Sequence, residues 1–198
     1  MGDNRNFDEK RLVVWNAIAE KGSQEASEAL SRLFNLPVKM MGSVKAYLPI
    51  PEVSRVENPE EEVLGARLVL TGDVTGEILF IIPVAAWTSW KCHLLPGPAS
   101  LDLETSAFAE VSNIAGAFFT MNLSNKTALK MNFTPPEVIQ DMFATAFEDT
   151  LVQISEEAHD VLIIETRLSI SGDEVQGYLF FIPSQSSIEL ITRKFFAS

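Results

Sequence analysis

Leu68-Val-Leu-Thr-Gly-Asp-Val-Thr-Gly-Glu-Ile-Leu-Phe-Ile-Ile-Pro83 returns about one hundred residues later as Leu168-Ser-Ile-Ser-Gly-Asp-Glu-Val-Gln-Gly-Tyr-Leu-Phe-Phe-Ile-Pro183. Each stretch reads as a strand, a Gly-Asp turn, a second strand ending in an apolar run, and a Pro that cannot continue the ladder. Each is therefore a β-hairpin, and a hairpin recurring at that interval is the mark of an internal duplication.

The flanks repeat as well. Val84 to Leu95 and Ser184 to Phe196 read as short helices after the two prolines, and longer helical patterns precede the hairpins. One runs from about Phe7 to Phe34, with Val14, Ile18, Ala29, Leu30 and Leu33 as its apolar marks; the other runs from about Leu101 to Asn122. Val38 to Leu48 and Leu129 to Phe133 read as strands, and Pro136 to about Phe147 as one more helix, with Val138, Ile139, Met142, Phe143 and Ala146 at helical spacing. The acidic stretches Glu52 to Glu62 and Ser155 to Asp160 precede the hairpins and read as solvated loops. The sum is an α+β fold: one pseudo-symmetric domain over residues 1–198, with repeats of about 7–95 and 100–196 sharing an antiparallel sheet.

With 198 residues, 46 % of them apolar, the chain has ample material for a core. Its net charge of −12 and scattered basic residues exclude nucleic acid, whose binders cluster Lys and Arg against phosphate. The one cysteine, Cys92, excludes an internal disulfide, and with only His93 and His159 besides it no metal-ligand spacing is readable. Cys92 is expected to be a small buried residue, and Trp15, Trp87 and Trp90 to be core. Met1 to Lys10 has no apolar segment of a secretory signal, and the longest apolar run, Ile78 to Trp87, is broken by Pro83 and too short to span a bilayer. The expected compartment is the cytoplasm, without membrane insertion. Asn6 stands where N-myristoylation wants Ser or Thr, and sequons at Asn122, Asn125 and Asn132 carry no meaning without secretion.

The second long helix carries the chemistry. Ser100 is its expected N-cap, with Asp102 and Glu104 in the first turn where the helix dipole favours acids. At 100° per residue, Phe108, Val111, Ala115, Phe118 and Phe119 form the core stripe, whereas Ser106, Glu110, Asn113 and Ala117 share another side. Glu110 and Asn113 are the sequence's one Glu-x-x-Asn pair. A carboxamide both donates and accepts, so it can orient a water without taking its proton; a carboxylate can grip a cation on an incoming partner. Such a pair on a helix surface is ordinarily only solvated, and spacing alone assigns it no role.

Motif and duplication together resemble the CheC, CheX and FliY family of response-regulator aspartyl-phosphate phosphatases. That family's pattern is Asp or Ser, three residues, Glu, two residues, Asn, about twenty-two residues, Pro; here it is Ser106, Glu110, Asn113 and Pro136. Glu110-Val-Ser-Asn113-Ile-Ala-Gly116, Thr134-Pro-Pro136-Glu-Val-Ile-Gln-Asp-Met142 and both hairpins are similar to the family too. The resemblance implies chemotaxis signalling and, as substrate, the phosphorylated Asp of a CheY-like receiver. Asn113 would place the attacking water in line with phosphorus, and Glu110 would pair with the receiver's active-site Lys. Ser106 and Pro136 would support the helix and loop. The chain would have no cofactor of its own, the Mg²⁺ being held by the receiver.

Duplication predicts a second site on the first helix, where Val13, Ala17 and Glu20 replace Ser106, Glu110 and Asn113. Ala17 cannot pair with a Lys, and a Glu20 carboxylate cannot donate to water as an amide does. The expectation is one intact site and one degenerate one. FliY-like N-terminal and switch domains are not seen, so a free-standing protein is expected. Members of the CheC type bind a CheD-like deamidase, and that partner stays open here, as does dimerisation. The alternative to a phosphatase is a non-catalytic receiver-binding or scaffold module. No nucleophile and base pair supports a general small-molecule hydrolase. Because receivers are commonly acidic, recognition should rest on short-range contacts around Glu110, with Lys126 and Lys130 as local help.

Overall fold

Both hairpins form where their sequences place them: β2 (Glu62–Gly72) pairs with β3 (Gly76–Pro83), and β6 (Asp160–Ile170) with β7 (Asp173–Pro183), all antiparallel. The computed structural model describes residues 9–55, 58–95, 97–153, 160–170 and 173–196. The other strands are β1 (Val38–Pro49), β4 (Met131–Phe133) and β5 (Glu137–Met142), and the helices are α1 (Glu9–Phe34), α2 (Val84–Leu94), α3 (Leu101–Thr127), α4 (Phe143–Gln153) and α5 (Gln185–Phe196).

The sheet runs β1-β6-β7-β3-β2-β4, with β5 also on β2. Its order shows the pseudo-two-fold. β3 and β7 meet at the centre, and each half hands its first strand to the other half's hairpin: β1 to β6, and β4 with β5 to β2. Gly76 opens the central pair at φ +136, where a Cβ would run into the Ile182 carbonyl, so only glycine fits. The α+β architecture of two helix-plus-hairpin halves on one antiparallel sheet is therefore as the sequence indicates.

Helices lie on both faces, which is why the central strands read as unbroken apolar runs rather than alternating ones: Ile78, Leu79, Phe80, Ile81 and Ile82 are all buried. On one face α1 and α3 supply Trp15, Phe108 and Phe119, with Trp15 stacked on Phe119 and Phe108 against both Phe80 and Trp87. On the other, Phe143 and Phe147 of α4 cover Phe180. All three tryptophans are core.

The two hairpins that read alike are one residue out of step in the sheet. Leu79 faces the α4 layer, but Leu179, its counterpart in the sequence, faces α1 and α3. An apolar run with both faces buried tolerates that slip, because no polar alternation pins it. The helices keep stricter register. α1 and α3 are each followed by a left-handed residue, Asn35 (φ 53) and Ala128 (φ 58), 93 positions apart, the same interval that separates Ala17 from Glu110 and Glu20 from Asn113.

Two expectations fail. The helix read over Pro136 to Phe147 is a strand as far as Met142 and a helix only from Phe143. Val138 packs on the α1 and α3 side and Ile139 on the α4 side, an alternation that a five-residue apolar set at helical spacing conceals, and the segment gains a ladder with β2. Cys92 is exposed rather than buried, because α2 turns Trp87 and Trp90 inward and leaves Cys92 on the outer side, its thiol donating to the Thr88 carbonyl. Of the second acidic stretch, 155–159 lie outside the described residues.

Candidate functional site

The site is a helix face set across from a broken edge strand. Ser100 caps α3, its hydroxyl accepting from the Leu103 amide (3.3 Å), and Lys91 of α2 reaches Glu104 in the first turn (2.7 Å). α3 is seated deeply: Phe108, Val111, Ala115 and Phe119 are buried, and a Cβ on Gly116 would come within 3.0 Å of Leu68. That close packing fixes the opposite stripe. Ser106 and Glu110 are exposed, Asn113 is half-buried, and the Ser106 hydroxyl is turned back to the Asp102 carbonyl (2.8 Å).

Facing them is Phe133-Thr-Pro-Pro136. β4 pairs Phe133 with Leu70, and β5 pairs Glu137 with Arg67, so Thr134, Pro135 and Pro136 stand opposite only Leu68 and Val69. One extra residue bulges the strand away from β2, and two prolines without N–H groups suit a place where the ladder is interrupted. Thr134 holds the near end of the bulge: its amide donates to the Val69 carbonyl (3.0 Å) and its hydroxyl accepts from the Val69 amide (3.2 Å).

Between helix and bulge lies an open groove of about 450 Å³, lined by Ser106, Ala109, Glu110 and Asn113 on one side and Phe133 to Pro136 on the other. All four residues of the Ser-Glu-Asn-Pro pattern thus border one groove. Among the described residues neither the Glu110 carboxylate nor the Asn113 carboxamide has a hydrogen-bond or ion-pair partner, so both are available to something that enters. Sequence reasoning missed Ala109, Phe133, Thr134 and Pro135 as wall residues. The consecutive prolines after a short apolar strand were the signal for them.

Glu110 is the groove's one carboxylate, too few hard oxygen ligands for a resident Mg²⁺. Among the described residues no group of three or more His, Cys, Asp or Glu is placed to hold a metal, and no helix is long and apolar enough to cross a membrane. A smaller groove of about 270 Å³ adjoins Lys91, Cys92 and Glu104, but its lysine and carboxylate are bonded to each other. Lys126 and Lys130 are exposed and do not line the main groove.

The matching face of α1 is different. Val13, Ala17 and Glu20 are exposed, Val13 by 68 %. Strand β1 alongside runs from Val38 to Pro49 with a single register shift, between Val44 and Ala46, and α1 holds its free edge. The Met40 amide donates to Ser27 Oγ (2.6 Å), the Val38 amide to Ser31 Oγ (2.9 Å), and the Val44 amide to Asn16 Oδ1 (2.8 Å).

No protein-family model matches the chain. It is 23 % identical over 192 residues, 91 % of each chain, to the CheY-P phosphatase CheC of Bacillus subtilis (strain 168). Its fold is that of Thermotoga maritima FliY (TM-score 0.71, 15 % identity, 96 % of this chain and 97 % of that one). It is also that of the FliM middle domain from H. pylori (TM-score 0.66, 14 % identity, 94 % and 99 %). By sequence over nine-tenths of its length the chain is similar to CheC, and by fold over nearly all of it to FliY.

Proposed function

We propose that the chain is an aspartyl-phosphate phosphatase of chemotaxis signalling that acts on a CheY-like response regulator. The observation that carries this reading is the pair of unpartnered side chains, Glu110 and Asn113, at the lip of the groove opposite Pro135 and Pro136. An acyl phosphate needs little covalent help to hydrolyse; it needs a water held in line with phosphorus and nearby charge neutralised. Asn113 meets the first need, since its carboxamide orients a water through one donated and one accepted hydrogen bond. Glu110, one helical turn away and exposed, meets a lysine of the receiver and sets the register of the two proteins. In this reading the receiver carries the Mg²⁺. The likeness to CheC supports the substrate class, and the decayed pair Ala17 and Glu20 limits the activity to one site.

The test is the decay of receiver phosphate with and without the protein. Asn113→Ala should abolish the acceleration, a loss of about 100-fold or more, while far-ultraviolet circular dichroism stays that of the parent. Glu110→Ala should weaken receiver binding as well as rate. A parent that binds phosphorylated receiver without shortening its phosphate lifetime would instead make this a receiver-binding scaffold.

A further inference from the structure

Pro135 and Pro136 wall the groove, and what holds them lies on the far side of the sheet. Glu137, the residue after Pro136, is register-paired with Arg67 of β2, and its Oε2 lies 2.5 Å from Arg67 Nη2. Arg67 Nη1 reaches Glu77 Oε1 of β3 at 3.2 Å. The guanidinium thus spans three strands, one carboxylate on each arm of its fork. Glu77 is 4 % exposed and its second oxygen has no partner. For stability alone an apolar residue would serve that position as well, because a buried charge is desolvated at a cost its partner seldom repays. What a buried Glu77 adds is direction: it fixes Arg67 so that the other arm points at Glu137.

With Thr134 bonded to Val69 at one end and Glu137 to Arg67 at the other, the three-residue bulge is clamped on both sides. Among the described residues the other edge of the sheet shows no such device. At the hundred-residue interval of the hairpins Arg67 corresponds to Arg167 of β6, which is register-paired with Met41 of β1 where Arg67 is paired with Glu137. Arg167 turns to Glu165 of its own strand, and Met41 offers it no charge. The clamp accompanies the half that keeps Glu110 and Asn113.

We propose that Arg67 is a positioning residue for the groove, holding the Pro135 and Pro136 wall opposite Asn113 through Glu137 without touching anything that enters. The inference rests on the phosphatase reading for its kinetic arm only. Arg67→Met, Arg67→Lys and Glu137→Ala would be compared with the parent as full chains. Amide hydrogen exchange would be followed at Thr134 and Val138 and, as internal reference, at Phe80 and Leu179 of the central strands; receiver phosphate decay would be resolved into kcat and KM.

Arg67→Met should raise exchange at Thr134 and Val138 at least about tenfold and leave Phe80 and Leu179 unchanged. It should also lower kcat by about tenfold through misplaced geometry. Glu137→Ala, which removes an exposed carboxylate and should not endanger folding, should reproduce both effects, and Arg67→Lys should restore part of them. Unchanged exchange at Thr134 in both Arg67→Met and Glu137→Ala, or a uniform rise across the sheet, overturns the proposal. A parent without phosphatase activity overturns the functional reading instead, and the exchange data still decide the clamp.

Discussion

The two long helices are alike where they are buried and unlike where they face an edge strand. At the 93-residue interval, Trp15 corresponds to Phe108, Ile18 to Val111 and Leu30 to Leu123, all core residues. The outward stripe at the same interval has Val13 for Ser106, Ala17 for Glu110 and Glu20 for Asn113. The strands beside them diverge too. Ser27 and Ser31 bind β1 to α1, but their counterparts turn away from the edge strand: Thr120 bonds the Gly116 carbonyl of its own helix, and Ser124 the Leu129 carbonyl. Duplication preserved what packing requires. Under the proposed reading, the difference teaches that the site needs a detached strand as well as the right side chains.

Breaking the shared part should have the largest effect. Phe108 is fully buried between Phe80 and Trp87, directly behind the site stripe. Phe108→Ala should cost about 3–5 kcal/mol in urea unfolding. A loss under about 1 kcal/mol would show that the helix does not depend on that contact.

Next comes a transplant of the unshared part. With Asn113→Ala as background, Ala17→Glu plus Glu20→Asn installs both groups on α1, yet receiver phosphate should decay no faster than with Asn113→Ala alone. The reason is β1, whose Val38, Met40 and Val44 amides are bonded to Ser31, Ser27 and Asn16, so that Val38 to Val44 stay in register with β6 and the strand's register shift comes only after Val44. Recovery of more than about one-tenth of the parent's acceleration would mean that the groove is dispensable and orientation on the helix suffices.

A smaller effect separates the clamps themselves. Ser31 exchanges two hydrogen bonds with Val38, accepting at 2.9 Å and donating at 3.0 Å, whereas Ser124 makes one with Leu129. Ser31→Ala should lose about 1–2 kcal/mol, and Ser124→Ala about half that. Equal losses would remove the distinction drawn between the two edges.

Much of this was legible in the residues. The hairpins announced themselves through Gly-Asp turns and terminal prolines, and the site stripe through helical spacing with Ser100 as cap. The β5 segment was not legible, because Val138, Ile139 and Met142 satisfy a helical template and only pairing with β2 decides between strand and helix. Nor was the exposure of Cys92, which depends on which side of a short helix the tryptophans claim. The partners of Arg67 lie 10 and 70 residues away along the chain, so nothing local marks them. The bulge was half-legible: Pro135 and Pro136 signal an interruption, but the residue count against Leu68 and Val69 needs the register.

An effect of similar size tests whether the buried carboxylate belongs to the half with the site at a cost to folding. Burial pushes the Glu77 carboxyl from 4.5 up to about 6 against the opposing pull of Arg67, while the Glu137 charge pushes the same way as burial. The protonated form is thus favoured in the folded state over the unfolded chain. Its contribution to stability is full below about pH 4.5 and is lost as pH rises through about 6. Glu77→Gln cannot titrate, so the parent's stability relative to this variant should fall by about 1–2 kcal/mol between pH 4.5 and 7 in urea unfolding. A difference that stays flat, or rises with pH, would mean that Arg67 fully compensates the buried charge. The carboxylate would then be an ordinary stabilising ion pair, and the contrast between the clamped half and the β1 edge would lose its energetic side.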